Sequence, residues 1–168
     1  GTPGYTYSLG SGALPDGVTL AANGVLSGAP TQSGTFNFTV NAVDSTSGTP
    51  GSVTEGYSLV VAPPTLAVTP LVLADGTASS SYTQALSASG GIAPYAFTLA
   101  AGPLPDGVTL STTGDLSGTP TEAGSFSFTV RVQDSTGGAP GVLLQPYTLQ
   151  VAAPTLTLSP ADRKSTRL

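Results

Sequence analysis

The side chains of this chain that could do chemistry are nine carboxylates and many Ser and Thr hydroxyls. A glycosidase needs two carboxyl groups at a set separation in a cleft, and a Ser or Thr nucleophile needs a neighbouring base. No pair of acids here has such a pattern; the chain contains no His, and its only lysine is Lys164. Because Cys is also absent, disulfides, a thiolate nucleophile and a zinc site of the usual type are excluded. The sequence therefore predicts a protein that is not an enzyme.

The sequence matches itself at an offset of 90 residues, and this match includes two pairs of acids. Asp16 corresponds to Asp106, and Asp44 corresponds to Asp134. The same offset aligns longer segments without a gap: LPDGVTL at 14–20 with 104–110, LSG at 26–28 with 116–118, FxFTV at 36–40 with 126–130, and PTL at 64–66 with 154–156. A fixed period of this kind is typical of a tandem array of small domains.

The offset predicts the boundaries of these domains. Residues 63–153 are expected to form one complete repeat, residues 1–62 a repeat without its first part, and residues 154–161 the start of a third. Residues 162–168 break the pattern and contain three of the four basic residues. Their sequence, DRKSTRL, looks like a translated sequencing adapter, so we interpret them as a non-native tail. The alternative is a genuine basic tail.

Charge and hydropathy argue against two classes of partner. Residues 1–161 contain eight acidic residues against Arg131 alone, which gives a net charge of −7. That sign disfavours binding to nucleic acid or to an anionic membrane. No stretch of about 18 consecutive apolar residues is present, so we expect no insertion of this chain into a membrane.

Alternation of apolar and polar residues predicts about seven short strands in the complete repeat, and no segment has a sustained helical period. The apolar sets expected on one face of a strand are Leu66/Val68, Tyr82/Leu86/Ala88, Tyr95/Phe97/Leu99, Phe126/Phe128/Val130/Val132 and Tyr147/Leu149/Val151. Pro105-Asp106-Gly107 and Asn23-Gly24 are typical of tight turns. Turns at about every ten residues predict an all-β sandwich.

Three motifs that occur in both copies carry a family resemblance. They are LPDGVTL, GxLSGxPT, and GxFxFTV followed shortly by Asp-Ser. This pattern resembles the Putative Ig family of bacterial surface and secreted proteins, which is close to the cadherin-like domains of the dystroglycan type. The resemblance covers nearly all of residues 1–153. It implies tandem Ig-like or cadherin-like β-sandwiches of about 90 residues each, in an extracellular protein that is secreted or held at the cell surface.

The resemblance also implies one candidate metal site. Asp44 and Asp134 end the longest predicted strand of each copy, where cadherin-like domains place a calcium-binding carboxylate near the junction between modules. Calcium takes six to eight oxygen ligands, several of them carboxylates, and only one acid is present at each position, with Glu55 and Asp75 on other loops. The alternative is that each aspartate bonds the backbone of its own turn. No other cofactor is expected.

Two further features have a structural and a binding interpretation. The six tyrosines are in phase with apolar neighbours, which favours core packing over an exposed platform for sugars; they are Tyr5, Tyr7, Tyr57, Tyr82, Tyr95 and Tyr147. Asn37 begins a glycosylation sequon. Because Ser127 replaces it in the second copy, we interpret Asn37 as an outward position on a strand.

These features together favour a structural role. The leading hypothesis is a non-catalytic spacer or stalk module of an adhesin-like protein, whose partners are the neighbouring repeats of the same chain. The alternative is a binding module, which acts through calcium-rigidified junctions or recognises a glycan or a host surface.

Overall fold

The computed structural model describes residues 1–156. All the regular secondary structure in these residues is β-strand. The first repeat contains β1 (Thr6–Gly12), β2 (Val18–Leu20), β3 (Leu26–Gly28), β4 (Gly34–Val43) and β5 (Ser52–Val61). The second contains β6 (Ala67–Thr69), β7 (Gly76–Thr77), β8 (Tyr82–Ala85), β9 (Ser87–Ser89), β10 (Ala96–Ala101), β11 (Val108–Leu110), β12 (Asp115–Gly118), β13 (Gly124–Gln133) and β14 (Val142–Ala152). The predicted all-β fold is confirmed.

Part of the prediction concerns residues beyond this range. The expected third repeat after Leu156 and the tail at 162–168 lie outside the described residues. Residues 1–156 contain no helix with the length and apolar character that crossing a membrane requires.

The second repeat is a sandwich of two layers. One layer has the strand order β10-β13-β14-β7. The other combines β11-β12-β8 with the pair β6-β9, because β8 and β9 follow each other with only Leu86 between them. All pairings are antiparallel except that of β14 with β7, in which Val151 lies opposite Gly76.

The core between the layers comes from the apolar faces that alternation predicts. Along β13, Phe128, Val130 and Val132 are buried, while the residues between them are only partly covered. The β12 residue Leu116 enters from the opposite layer and is fully buried. Burial of each such side chain stabilises the fold by about 1.5–3 kcal/mol, so the two faces together supply most of the stability of this repeat.

Two tyrosines close the end of this core. The Tyr147 hydroxyl donates to the Pro70 carbonyl at 2.8 Å, and the Tyr82 hydroxyl donates to the Ala74 carbonyl at 3.1 Å. Both rings are buried, so each tyrosine contributes apolar area while its hydroxyl ties down the segment between β6 and β7. The prediction of core packing is confirmed for these two residues.

The turn before β11 has the conformation that its sequence predicts. The Val108 N–H donates to the Pro105 carbonyl at 3.0 Å, and Gly107 has a φ of 88°. A Cβ on Gly107 would lie 2.1 Å from the Thr119 carbonyl oxygen. Only glycine therefore fits this position, and Gly17 occupies the same place in the first repeat.

The first repeat has the same strands from β1 onward but only part of the second layer. Its sheet is β1-β4-β5, and the hairpin β2-β3 stands opposite it. Among the described residues of this repeat, none corresponds to β6 through β9. As a result Leu26 is 44% exposed, whereas its counterpart Leu116 is 0% exposed.

Three residues that were expected in the core are exposed instead. Tyr5 and Tyr57 are about half exposed because, among the described residues, only β2 and β3 stand opposite the sheet of the first repeat and counterparts of β6 through β9 are missing. Leu99 is also exposed, because it lies on the edge strand β10 next to a bulge between Leu99 and Ala101.

We expect Leu116→Ala to destabilise the second repeat by about 2–5 kcal/mol, since the truncation leaves a cavity in a closed core. Leu26→Ala is the matched control at the equivalent position. Because Leu26 is already largely exposed, its truncation should change the free energy of unfolding by less than about 1 kcal/mol. Chemical denaturation of both variants measures the difference, and equal costs would contradict the open first sandwich.

We also expect the two repeats to differ in hydrogen exchange. Backbone amides of β13 and β14 should exchange only on cooperative unfolding, whereas those of β4 and β5 should exchange through lower-energy openings, because few apolar contacts hold the first repeat together. Equal protection of the two pairs of strands would overturn this prediction.

Candidate functional site at the joint between the repeats

Asp134 follows the last residue of β13 and connects two loops. Its Oδ2 accepts hydrogen bonds from the Ile92 N–H, at 2.9 Å, and from the Thr136 hydroxyl. Its Oδ1 accepts from the Gly141 N–H at 2.7 Å. Ile92 lies between β9 and β10, and Gly141 directly precedes β14. The carboxylate therefore fixes the loop from β13 to β14 against the loop from β9 to β10.

The electrostatics of Asp134 follow from these contacts. Only 4% of the residue is exposed. Burial by itself raises the pKa of the carboxyl, but the hydrogen bonds from Thr136, Ile92 and Gly141 favour the charged form more strongly, so the pKa of Asp134 lies below its usual value. The carboxylate is charged at neutral pH and engaged with backbone donors.

Asp44 has the same role at the end of β4. Its Oδ1 accepts from the N–H groups of Thr46 and Gly51 at 3.2 and 2.8 Å, and its Oδ2 accepts from the Thr2 N–H at 3.2 Å. The hydrogen bond from the Thr46 N–H is the main reason that the pKa of Asp44 is also lowered. Thr2 and Gly51 align with Ile92 and Gly141, so the two copies share one bonding pattern.

These contacts bear on the calcium hypothesis. Both aspartates bond the backbone of their own turn, which is the second of the two roles expected from the sequence. Within residues 1–156, no three acidic side chains come close enough together to form a metal site. Calcium binding at Asp44 and Asp134 stays a prediction.

A cleft beside Asp44 in the first repeat has a structural explanation. It has a volume of about 400 Å³ and is lined by residues that include Tyr5, Tyr7 and Asp44. In the second repeat the equivalent space is filled: a Cβ on Gly141 would lie 2.7 Å from the Pro64 carbonyl oxygen and 3.3 Å from Leu66. A Cβ on Gly51 has only Asp44 atoms as its three nearest neighbours. The cleft is thus the place that the segment leading into β6 occupies in the second repeat.

The two repeats also meet directly, through residues that sequence analysis did not single out. Thr31–Ser33, between β3 and β4, is here called the joint segment; Gly137–Ala139, between β13 and β14, is called the joint loop. The Ser33 N–H donates to the Gly137 carbonyl at 3.0 Å, and the Gly137 N–H donates to the Thr31 carbonyl at 3.2 Å. Gln32 and Gly137 therefore form a parallel β-bridge between the repeats.

The Ser33 side chain adds to this bridge. Its hydroxyl donates to the Ala139 carbonyl and accepts from the Ala139 N–H at 3.1 Å. Ser33 is 3% exposed. The one sign of this role in the sequence is that Ser33 aligns with Ala123 in the other copy. This difference alone does not show which residues Ser33 contacts.

The other candidate residues lie in turns or at an exposed strand position. The turn carbonyls of Asp16 and Asp106 accept hydrogen bonds from the N–H groups of Thr31 and Thr121 at 2.9 and 3.0 Å. The Asp16 turn thereby supports the joint segment. Asn37 is exposed on β4, as an outward strand position should be.

The sequence profile of the Putative Ig domain family matches residues 1–62 and 63–152. The chain belongs to this family. Each Putative Ig repeat of the chain thus corresponds to one match, and the joint lies between two members of the same family.

The solved structures that this chain partly matches come from several kinds of protein. Protocadherin gamma B2 extracellular cadherin domains 3-6 are 15% identical, with 89% of this chain and 44% of that chain covered and a TM-score of 0.46. The endo-fucoidan hydrolase MfFcnA4 of glycoside hydrolase family 107 is 25% identical, with 90% and 24% covered and a TM-score of 0.45. Drosophila N-cadherin EC1-4 is 13% identical, with 90% and 43% covered and a TM-score of 0.41.

This chain spans less than half the length of each of these proteins. No curated protein matches the sequence. Putative Ig repeats of this kind are structural or binding modules. The partial matches to longer proteins assign no activity to this chain.

We expect Asp134→Asn to destabilise the second repeat by about 1–3 kcal/mol, because an amide group turns a donor toward at least one buried N–H.

The effect of Asp134→Asn on stability should depend on pH. A lowered carboxyl pKa contributes stability that is fully present above the unfolded pKa of about 3.9 and is lost as the pH falls through the folded pKa. Denaturation curves should therefore show a constant difference between wild type and variant above about pH 5 and a shrinking one below about pH 4. A difference that does not change with pH would contradict the charged role.

Proposed function

We propose that this chain is a non-catalytic spacer of a secreted or surface-displayed protein, in which consecutive Ig-like repeats are held in a defined orientation. The observation that carries the proposal is the hydrogen-bonded contact between Thr31–Ser33 of one repeat and Gly137–Ala139 of the next. A contact of this kind limits bending at the joint, and limited bending is what a module that holds a distal domain away from a surface needs.

The covalent connection supports the same role. β5 ends at Val61 and β6 begins at Ala67, and Ala62-Pro63-Pro64 lies between them. A proline-containing linker this short restricts the angles that two domains can adopt. With ten-residue strands that rise about 3.3 Å per residue, each repeat would add roughly 30–40 Å to the array.

The chemistry of the described side chains agrees with a structural role. The two candidate carboxylates, Asp44 and Asp134, are occupied by backbone donors. Every buried side-chain nitrogen or oxygen in residues 1–156 has a hydrogen-bond partner. Buried polar groups that are already satisfied stabilise loops and offer little to a substrate.

The second candidate function is a binding module, and Asp44 is the residue that favours it. Asp44 is only partly buried, whereas Asp134 is 4% exposed. With further oxygen ligands, the Asp44 carboxylate could contact a calcium ion.

Small-angle scattering of the two-repeat chain tests the spacer. A compact globule of this length would have a radius of gyration of about 15 Å. We expect a clearly larger value, unchanged by the addition of calcium, because the joint is held by protein hydrogen bonds. A radius near 15 Å would contradict a spacer.

Calorimetric titration with calcium chloride separates the two candidates. A spacer gives no saturable heat, whereas a calcium-dependent module gives a saturable one that Asp44→Asn and Asp134→Asn each weaken. Magnesium chloride is the control for nonspecific effects of the salt. A glycan array on the same chain tests sugar recognition, and flat results in both experiments would remove the binding alternative.

A further inference from the structure

We infer that the joint segment and the joint loop are a head-to-tail docking pair, and that the residue at position 33 sets how tightly a given joint closes. The partner of each joint segment is the joint loop of the following repeat. The inference deepens the proposed function, since a spacer depends on stiff joints, but it concerns a specific contact that is tested separately.

Burial of the joint segment comes from the neighbouring repeat. Gln32 and Gly34 are partly buried and Ser33 is fully buried, whereas their counterparts Glu122, Ala123 and Gly124 are exposed. Each segment follows a Pro-Asp-Gly turn and precedes the long strand of its repeat, so the two segments have the same place in their own repeats. The difference in exposure therefore reports the contact with the joint loop.

The pair has two unequal halves, as a head-to-tail contact requires. One half is an extended segment that presents its backbone groups, and the other is a loop that presents backbone groups opposite to them. Each repeat carries both halves at different places. A contact between unlike surfaces of this kind can be repeated along an array without closing into a ring.

Position 33 distinguishes one joint from another. The Ser33 hydroxyl bonds both the carbonyl and the N–H of Ala139, and it also lies 3.5 Å from the Gly137 carbonyl oxygen. In the second repeat this position is Ala123, which has no hydroxyl. A joint built on Ala123 would keep the main-chain bridge and lose the side-chain bonds, so Ser at this position gives a tighter joint and Ala a looser one.

Asp134 supports the receiving half of the pair. Its carboxylate bonds Thr136 and Gly141, which flank the joint loop on both sides. Ser135 adds hydrogen bonds from its N–H and hydroxyl to the Ile92 carbonyl, at 2.9 and 2.8 Å. The joint loop is thus held in place by its own repeat before the joint segment binds.

The first test is Ser33→Ala, which converts the joint to the type expected at Ala123. In the two-repeat chain we expect the Ala139 amide to exchange its hydrogen about 10-fold faster, because it loses its acceptor. The amides of residue 33 and Gly137 should also exchange faster. The Gly141 amide, which bonds Asp134, serves as the internal control and should not change.

The second test uses a matched pair of glycines. Gly138 has a φ of 76°, and a Cβ there would lie 2.2 Å from the Ser33 carbonyl oxygen. Its counterpart Gly48 has a φ of 91°, and a Cβ there meets nothing within 4 Å. Gly138→Ala and Gly48→Ala share the strain of a positive φ, but only Gly138→Ala obstructs the joint. We expect only Gly138→Ala to speed exchange at the residue-33 amide.

The outcomes separate this inference from the proposed function. Faster exchange in Ser33→Ala and Gly138→Ala, with unchanged protection of β13, supports the docking pair. Exchange that is slow in wild type and equally slow in both variants overturns the docking pair but leaves a spacer stiffened in another way. A wild-type joint whose amides exchange as fast as those of exposed loops also overturns it, and scattering then decides separately whether the spacer survives.

Discussion

An apolar sheet face is stable in water only when a second layer covers it. In the second repeat, β6, β8, β9, β11 and β12 cover the face that β13 and β14 present, and residues such as Leu116 and Leu149 lose all contact with solvent. In the first repeat only β2 and β3 stand on that side. The exposure of Leu26 and Tyr57 and the cleft beside Asp44 follow from this one difference.

The loops depend on a different interaction, which is the acceptance of backbone N–H groups by buried oxygens. This chain has no cysteine for disulfides and few charges for ion pairs. Asp134 and Ser33 connect the loops in place of the disulfides and ion pairs that hold loops together in many other proteins. Each side chain is short, so it holds its partners in one geometry at a low cost in side-chain entropy.

Sequence patterns predicted the parts of this structure that are local in the chain. Alternation in β13 marks Phe128 and Val130 as core residues because side chains on a strand point to opposite faces in turn. The two-residue strand β7 could not be found in this way, since Gly76–Thr77 is too short to show a period and pairs in parallel with a distant strand.

Properties that depend on the rest of the molecule were harder to predict. Tyr57 is exposed because its cover is missing, and Leu99 because it lies at the sheet edge. Ser33 acquires its role only when two repeats meet. Its own neighbours in the sequence do not indicate that contact.

The parallel pairing of β14 with β7 has a mechanical consequence. Val151 and Ala152 lie opposite Gly76 and Thr77, and the Ala78 N–H donates to the Ala152 carbonyl at 2.8 Å. The chain reaches β7 through β6, which pairs with β9, and leaves the repeat directly after β14. Once β6 has separated from β9, tension along the array pulls β7 and β14 in opposite directions along their length. Their hydrogen bonds are then loaded together in shear and must break at once, whereas bonds that are peeled from one end would fail one after another.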